Sequence, residues 1–562
     1  VSNAKPAAPK ARPRAARGAS DGVVLATIVV ATILFLCVAG YPRQWSQGLR
    51  INDEFWYAQL TRNLYEGNGY VSSVIYPIQA RHVDGFPVPP PMKQPGMQLV
   101  TAAVWLLTGE SVHAMLAVAL AGMALFAAAI YLLARRLDWS PGASAFVVGA
   151  TIAHPVMAQY GFQALPESLY YACFTFTVLF ILRGGTTDLI VAGALNAALM
   201  LIKGHGLIYI PVFAAFIWLR NAPSLRAALR PSGAKLRAVG TYLGAGFAAL
   251  LILWVVLPSG SVQIFEAGGT YSHGALIEVG RRTSELPYLS VDPPDVWAYI
   301  SAHPEQYLGK VARMIKRTKM MCDALSGPAL GGILFPALVL SFLLLGANAL
   351  RPGRFLPNDR PRAEPEPYLL FAACVGWALL AFWPLFMTAR LFMHLLPCML
   401  LLCMYVAGRI IPTRERADGA LRALLVAAAV AYFVGFPATA TLWDSYREPD
   451  KLLGSMLAVR HLDYGEMAAN VENDLPPDAV VVSDMPHEIV WLTRRNAIAF
   501  PNAEEDLEYL INKFDVDAIY EHPLLRRDWP LILQEFRLVN DENGFLWVRR
   551  RDGDRTGAGA NG

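Results

Sequence analysis

The chain has 562 residues, 55% of them hydrophobic and only 16% charged, with a mean hydropathy of +0.37. Soluble domains carry roughly 25% charged residues, so the composition excludes an ordinary soluble enzyme and predicts a polytopic α-helical membrane protein. A net charge of +4 is too small to imply a nucleic-acid partner. Among the cysteines, Cys37, Cys173, Cys374, Cys398 and Cys403 fall in apolar runs and only Cys322 reaches a predicted outer loop, so no disulfide framework is expected.

Residues 1–21 are rich in Ala, Pro, Lys and Arg and are predicted to be a disordered basic segment. Lys5, Lys10, Arg12, Arg14 and Arg17 hold it on the cytoplasmic side. The apolar run Gly22–Tyr41 is close to the roughly 20 residues needed to span a bilayer, no small-residue cleavage site follows it, and it is read as the first transmembrane helix. Further spans are predicted near 113–134, 142–160, 168–182, 187–203, 205–220, 238–257, 330–349, 367–387, 391–408 and 420–442, about eleven in all. Arg135, Arg136, Arg183, Arg220, Arg226, Arg230, Lys235 and Arg237 lie in alternate connections, as do Arg351, Arg354, Arg360, Arg362, Arg409, Arg414 and Arg416. Those connections share a side with the basic N-terminus, which puts residues 445–551 and the acidic groups below on the outer face.

The first outer stretch, Ile51–Tyr70, carries Asp53 and Glu54 side by side, followed by the helical pattern Trp56, Leu60, Leu64. One reading makes Asn52 or Asp53 the cap of a short interfacial helix; the other makes Asp53 and Glu54 a catalytic acid pair at the mouth of a membrane cavity, with Tyr57 beside them. Farther along, Lys93 opens Lys93-Gln94-Pro95-Gly96 before a short apolar segment, Leu99–Leu107, that is too short to cross. Lys93 either snorkels to headgroups or clamps a substrate phosphate. Glu167 follows Pro166 at the start of an apolar helix, where it either complements the helix dipole or serves a substrate.

Lys203-Gly204-His205-Gly206 makes a tight outer turn that presents Lys203 and His205. Glu54, Glu167 and His205 are candidates for a divalent metal, without a spacing that identifies one. In Pro304–Met321, Lys310, Arg313 and Arg317 share one helical face and Leu308, Val311 and Ile315 another, as in an interfacial helix. Its cations meet either anionic headgroups or a donor phosphate. Arg390 and His394 lie one turn apart at the outer end of a late span, and arginine suits bidentate phosphate recognition.

Residues 445–551 have ordinary polarity. Short β-branched runs (Ala479–Ser483, Asn496–Phe500, Val516–Tyr520, Phe545–Val548) alternate with helical patterns at Ala503–Phe514 and Trp529–Phe536, which predicts a small extracytoplasmic α/β domain. Residues 445–551 contain no Gly-x-Gly-x-x-Gly and no P-loop, so nucleotide binding is not expected of them. Residues 552–562 form a Gly-rich tail.

In order and topology these pieces resemble the GT-C superfamily of integral-membrane glycosyltransferases, and within it the protein O-mannosyltransferase and lipid A aminoarabinose transferase branch. The resemblance rests on D-E-x-x-Y-A at Asp53–Ala58, Lys93-Gln-Pro, Pro166-Glu167, Lys203-Gly204, His303-Pro304-Glu305 and R-L-F-M-H-L-L-P at Arg390–Pro397. Gln94-Pro95-Gly96 replaces the usual Pro-Pro, Glu167 stands where relatives often have Asp, and the Trp-Trp-Asp of oligosaccharyltransferases is absent.

The resemblance implies that Asp53 is the catalytic acid and a polyprenyl-phosphate sugar the donor. Lys93, Lys203, Arg313, Arg317 and Arg390 would meet its phosphate, and Glu167, Tyr57, His205 and His394 would position donor or acceptor. It implies an inverting transfer to a cell-envelope lipid or polysaccharide such as lipopolysaccharide, at the periplasmic face of the bacterial inner membrane. A protein acceptor is the alternative within the fold, and a lipid-linked-sugar binding or transport protein the alternative outside it. The absence of repeated halves weighs against transport.

Overall fold

The structure, a computed structural model, describes residues 19–40, 48–49, 51–90, 93–220, 230–256, 289–292, 295–326, 337–344, 366–382, 392–410, 434–435, 463–522, 525–541 and 544–550. The apolar half of the chain is a helical bundle. α1 (Ala19–Ala39) is followed by α2 (Asn52–Tyr65), and the next helices are α3 (Gly96–Thr108) and α4 (Val112–Arg136). Ser111 caps α4 by accepting from Ala114 N at 3.4 Å, and Arg135 and Arg136 close it at the negative end of its dipole. α5 (Pro141–Ile152) and α6 (Pro155–Phe162) are bent by 75° at a short break, where Pro155 cannot continue the preceding helix. α7 (Glu167–Arg183), α8 (Thr186–Ile202), α9 (Tyr209–Leu219), α10 (Gly233–Val256), α11 (Val296–Ala302), α12 (Pro304–Ser326), α13 (Glu366–Phe382) and α14 (Leu396–Ile410) follow.

α4 packs on α1 and α7, and α8 lies between α7 and α10, around a core that includes Phe126, Ile130, Tyr171, Phe174, Phe213 and Phe371. α8 and α10 approach closely at Gly193. A β-carbon placed on Gly193 would collide with the Tyr242 carbonyl oxygen, so only glycine lets these backbones touch.

Among the described residues three helices are long and apolar enough to cross a membrane: Asp21–Ala39, Val112–Arg136 and Gly233–Ile252. The bent Pro141–Phe162 pair makes up to four. The predicted spans at 187–203, 205–220, 367–387 and 391–408 correspond to apolar helices of 10–17 residues, and that at 168–182 to the 17-residue α7. Within 330–349 only residues 337–344 are described, as helix, and of 420–442 only 434–435 are.

The later part of the chain contributes helices and strands to an α/β sheet. Its helices are α15 (Tyr464–Asp474), α16 (Pro486–Thr493), α17 (Glu504–Phe514) and α18 (Pro530–Glu535). The strands are β1 (Val74–Ile75), β2 (Val480–Ser483), β3 (Asn496–Ala499), β4 (Ala518–Glu521), β5 (Phe536–Asn540) and β6 (Phe545–Arg549). They form one six-stranded sheet in the order β1-β3-β2-β4-β6-β5. The first four run parallel, and β6 and β5 add antiparallel. Side chains of α16 and α17 cover opposite faces: Ile489 packs with Val481 and Ala497, and Leu510 with Val482 and Ile498.

Two strands escape the sequence reading. β5 carries an exposed run, and β1 is two residues long and lies far upstream, in the loop between Asp53 and Lys93. Val74 pairs with Ala497 and Ile75 with Ile498, so the sheet is shared between the loop and the C-terminal residues.

The α8–α10 contact yields a prediction. Gly193→Val forces a branched side chain onto backbone and is expected to cost about 1–3 kcal/mol by overpacking. Thermal unfolding of the purified protein should show a lowered midpoint, whereas Gly142→Val, at a position with open space around it, should leave it near wild type.

Candidate active site

The site begins at the N-terminus of α2. Its axis is fixed by Glu54, which is fully buried: one carboxylate oxygen accepts from Ile51 N at 3.2 Å and the other from Ala164 N at 2.7 Å. Neither Asn52 nor Asp53 is the cap: Ile51 holds that position, and Glu54, three residues on, accepts from its backbone and ties α2 to the loop before α7. Its neighbour Asp53 points another way, and Lys93 Nζ donates to Asp53 Oδ1 at 2.6 Å. The Lys93 and Asp53 side chains are 11% and 26% exposed, so the pair is shielded but reachable. The same ammonium sits 4.3 Å from the ring centroid of Trp56 and 4.8 Å from that of Tyr57. Such cation–π contacts contribute about 0.5–2 kcal/mol each, depending on desolvation.

A second ion pair lies on the neighbouring segments. Lys203 Nζ donates to Glu167 Oε1 at 2.6 Å, with Glu167 buried and Lys203 10% exposed. The two pairs are brought together through backbone. Ala164, held by Glu54, stands three residues before Glu167. Gly96, three residues after Lys93, packs directly on Ile202, the residue before Lys203.

Beneath Lys203 lies an aromatic floor. The His205 ring is 4.7 Å from Tyr170 and 5.8 Å from Phe382. His394 is buried, with Nε2 2.6 Å from the Tyr209 hydroxyl and its ring edge-on to Phe174 and Tyr170. Both histidines shape the wall through ring contacts.

The proposed cations divide. Lys93 and Lys203 stand in the site. Arg313 is exposed on α12 while its helix neighbour Lys310 is buried, so the predicted single cationic face of that helix is split. The Arg317 side chain and Arg390 lie outside the described residues. The metal candidates do not converge: Glu54 binds two backbone amides and Glu167 binds Lys203. Among the described residues no three His, Cys, Asp or Glu side chains are grouped to hold an ion.

The sequence reading omitted the wall contributed by α16. The His487 ring stacks on Trp56 at 4.3 Å and 17°, and its Nε2 lies 2.9 Å from the Tyr76 hydroxyl. Glu488, the next residue, is 2% exposed. Burial pushes its carboxyl up to about 8; a hydrogen bond from its own backbone N–H opposes the shift, and the Asp53 carboxylate adds to it. At the far end of α2, Arg62 donates to Glu110 and to the Trp491 carbonyl, and Arg494 pairs with Glu66 and Glu110. A signal was available in Met485-Pro486-His487-Glu488, where two polar residues open a buried helix directly after a strand.

An apolar pocket of about 550 Å³ lies between α9 and α13, lined by residues such as Val212, Phe216, Leu370 and Trp377; Asp53, Lys93, Glu167 and Lys203 are not among its lining residues. Trp377 Nε1 donates to the Ile208 carbonyl at 2.7 Å, which joins the two helices five residues from Lys203. Arg220 and Glu366 mark the other end.

Comparison with solved structures finds ArnT from Cupriavidus metallidurans bound to undecaprenyl phosphate, at 15% identity and a TM-score of 0.55, covering 95% of this chain and 99% of that one. The apo form of the same protein matches at 15% identity and a TM-score of 0.56, over 94% and 98%. The chain shares the overall fold of these structures. The archaeal oligosaccharyltransferase AglB from Archaeoglobus fulgidus, in complex with an inhibitory peptide and a dolichol-phosphate, aligns at 14% identity and a TM-score of 0.49, over 94% of this chain and 74% of that one. No family model and no curated protein matches the chain.

Glu488 gives this region a pH dependence. A carboxyl whose folded pKa is raised keeps its proton in the folded state while the unfolded chain loses it. Stability therefore falls as pH rises from the ordinary carboxyl range to about 8, and the loss is complete above that. Glu488→Gln removes this contribution. Denaturation profiles of the two proteins should converge below pH 4.5 and separate by pH 9, with the variant the more stable.

Proposed function

We propose that this protein is an inverting glycosyltransferase that moves a sugar from a polyprenyl-phosphate donor to a cell-envelope lipid or polysaccharide, at the outer face of the inner membrane. The observation that carries this reading is the shielded Asp53–Lys93 pair, with Lys203–Glu167 on the adjoining segment. It links one shielded carboxylate–ammonium pair to a second through the backbone around Ala164 and Gly96.

Transfer of a sugar to a hydroxyl needs three things from the protein. The hydroxyl proton must go somewhere as the new C–O bond forms, and a positioned carboxylate contributes about 10²–10⁴-fold. Asp53 is that base. The bond from the anomeric carbon to the phosphate oxygen breaks at the same time, and the polyprenyl phosphate leaves with added negative charge. Lys93 and Lys203 face that charge, and fixed cations in a site shielded from water stabilise it more than water would. Attack from the face opposite the phosphate inverts the anomeric carbon.

The third need is to hold a donor whose tail never leaves the bilayer. The pocket between α9 and α13 is lined mainly by apolar side chains, and Trp377 of its lining bonds the Ile208 carbonyl, five residues along the chain from Lys203, which supports placing a polyprenyl chain there. The ArnT structure bound to undecaprenyl phosphate supports this class of ligand on this fold. Glu54 and Glu167 orient the reacting groups: Glu54 fixes the start of α2, and Glu167 holds Lys203 in place.

The test is mass spectrometry of envelope lipids and glycans from cells expressing wild type or Asp53→Asn at matched levels, in a host that makes the lipid-linked donor. A sugar-sized mass increment is expected with wild type and is reduced at least ~10²-fold in the variant. Indistinguishable profiles, with both proteins folded, would leave Asp53 only its ion pair with Lys93.

A further inference from the structure

We propose that His487, which comes from the C-terminal α/β unit, is a positioning residue for the transfer: through Trp56 it fixes Lys93 against Asp53. The role presupposes that Lys93 meets the donor phosphate.

The argument starts from the contacts of Trp56. Its indole packs against Tyr76 at 5.1 Å and 29° and against His487 at 4.3 Å and 17°. Tyr76 and His487 are themselves joined by the 2.9 Å bond between the tyrosine hydroxyl and Nε2. Three rings from three segments thus form one block: Trp56 from α2, Tyr76 from the residue after β1, and His487 from the first turn of α16. The Lys93 ammonium lies 4.3 Å from the Trp56 ring centroid and bonds Asp53 at 2.6 Å. A shift of the indole moves the surface on which the ammonium sits.

A packing role alone explains this histidine poorly. His487 is fully buried, and its Nδ1 finds no hydrogen-bond partner among the described residues. An unsatisfied buried polar atom is destabilising, and an aliphatic side chain would fill the space without that penalty. Burial, with the nearby Lys93 charge, holds the imidazole well below its usual range and therefore neutral. A neutral, flat ring supports the indole without bringing a second cation towards Lys93. Phe or Leu would also stay neutral, but only an imidazole both stacks on the indole and bonds the tyrosine that follows β1.

Equilibrium binding of radiolabelled undecaprenyl phosphate to the full-length protein in nanodiscs tests the role. His487→Leu removes the unsatisfied Nδ1 together with the bond to the Tyr76 hydroxyl, opposing effects that should leave the thermal midpoint near wild type while affinity for the probe falls about tenfold. His487→Phe restores a flat ring and should return affinity to within about threefold of wild type. In a Lys93→Met background the Leu substitution should change affinity by less than about twofold, because it acts through the missing ammonium.

Equal losses in both backgrounds, or no loss in either, would overturn the proposal. A loss of affinity that tracks a loss of thermal midpoint would do so as well. Wild type and Lys93→Met decide the underlying reading separately. If they bind alike, the phosphate role of Lys93 fails and His487 falls with it; if only the His487 variants are silent, the donor reading stands without this residue.

Discussion

The pairing of Val74–Ile75 with Ala497–Ile498 is the constraint on which the site depends. Two residues of the loop between Asp53 and Lys93 become the edge of a sheet whose other strands lie more than 400 residues downstream. A loop of this length would otherwise sample many conformations, and each ordered residue costs roughly 1–2 kcal/mol of backbone entropy. Anchoring it midway shortens the free segments on both sides, so Lys93 reaches Asp53 from a fixed starting point. The Arg62, Glu66, Glu110 and Arg494 network and the ring block around Trp56 hold α2 against the same unit. The α/β unit is thus a wall of the site.

The membrane bundle supplies the complementary half. α7 and α8 present Glu167 and Lys203 at their ends, and the glycine contact at Gly96 sets the Lys93 segment on the end of α8. Neither half has both lysines. Charge neutralisation explains why the arrangement is tolerated: each partly buried ammonium has a carboxylate at 2.6 Å, and isolated buried charges would be far costlier. A donor phosphate arriving at the lysines would compete with those carboxylates, which links donor binding to the availability of Asp53.

Much of this was legible in the sequence. The α/β strands at Val480–Ser483, Asn496–Ala499 and Phe545–Arg549 announce themselves by β-branched and aromatic runs between turn residues, and Asp53, Lys93, Glu167 and Lys203 stood out as ionisable groups beside apolar segments. What stayed hidden was contact between distant segments. β1 is too short for any periodicity, and its strand character comes wholly from its partner. The pattern Trp56, Leu60, Leu64 predicted one apolar face on α2, yet Glu54 to Thr61 are all buried, because the bundle and α16 enclose the helix from different sides. Glu54 and Asp53 could not be distinguished from adjacency alone; the Ala164 amide decides which carboxylate is structural. His487 carried no signal that pointed to residue 56.

The most direct measurement is an experimental structure of the full chain in nanodiscs with undecaprenyl phosphate bound. The account predicts phosphate oxygens within about 3 Å of the Lys93 and Lys203 ammonium groups, Asp53 released from its partner, and the polyprenyl chain running between α9 and α13. A phosphate seated away from both lysines, with the Lys93–Asp53 pair intact, would contradict it.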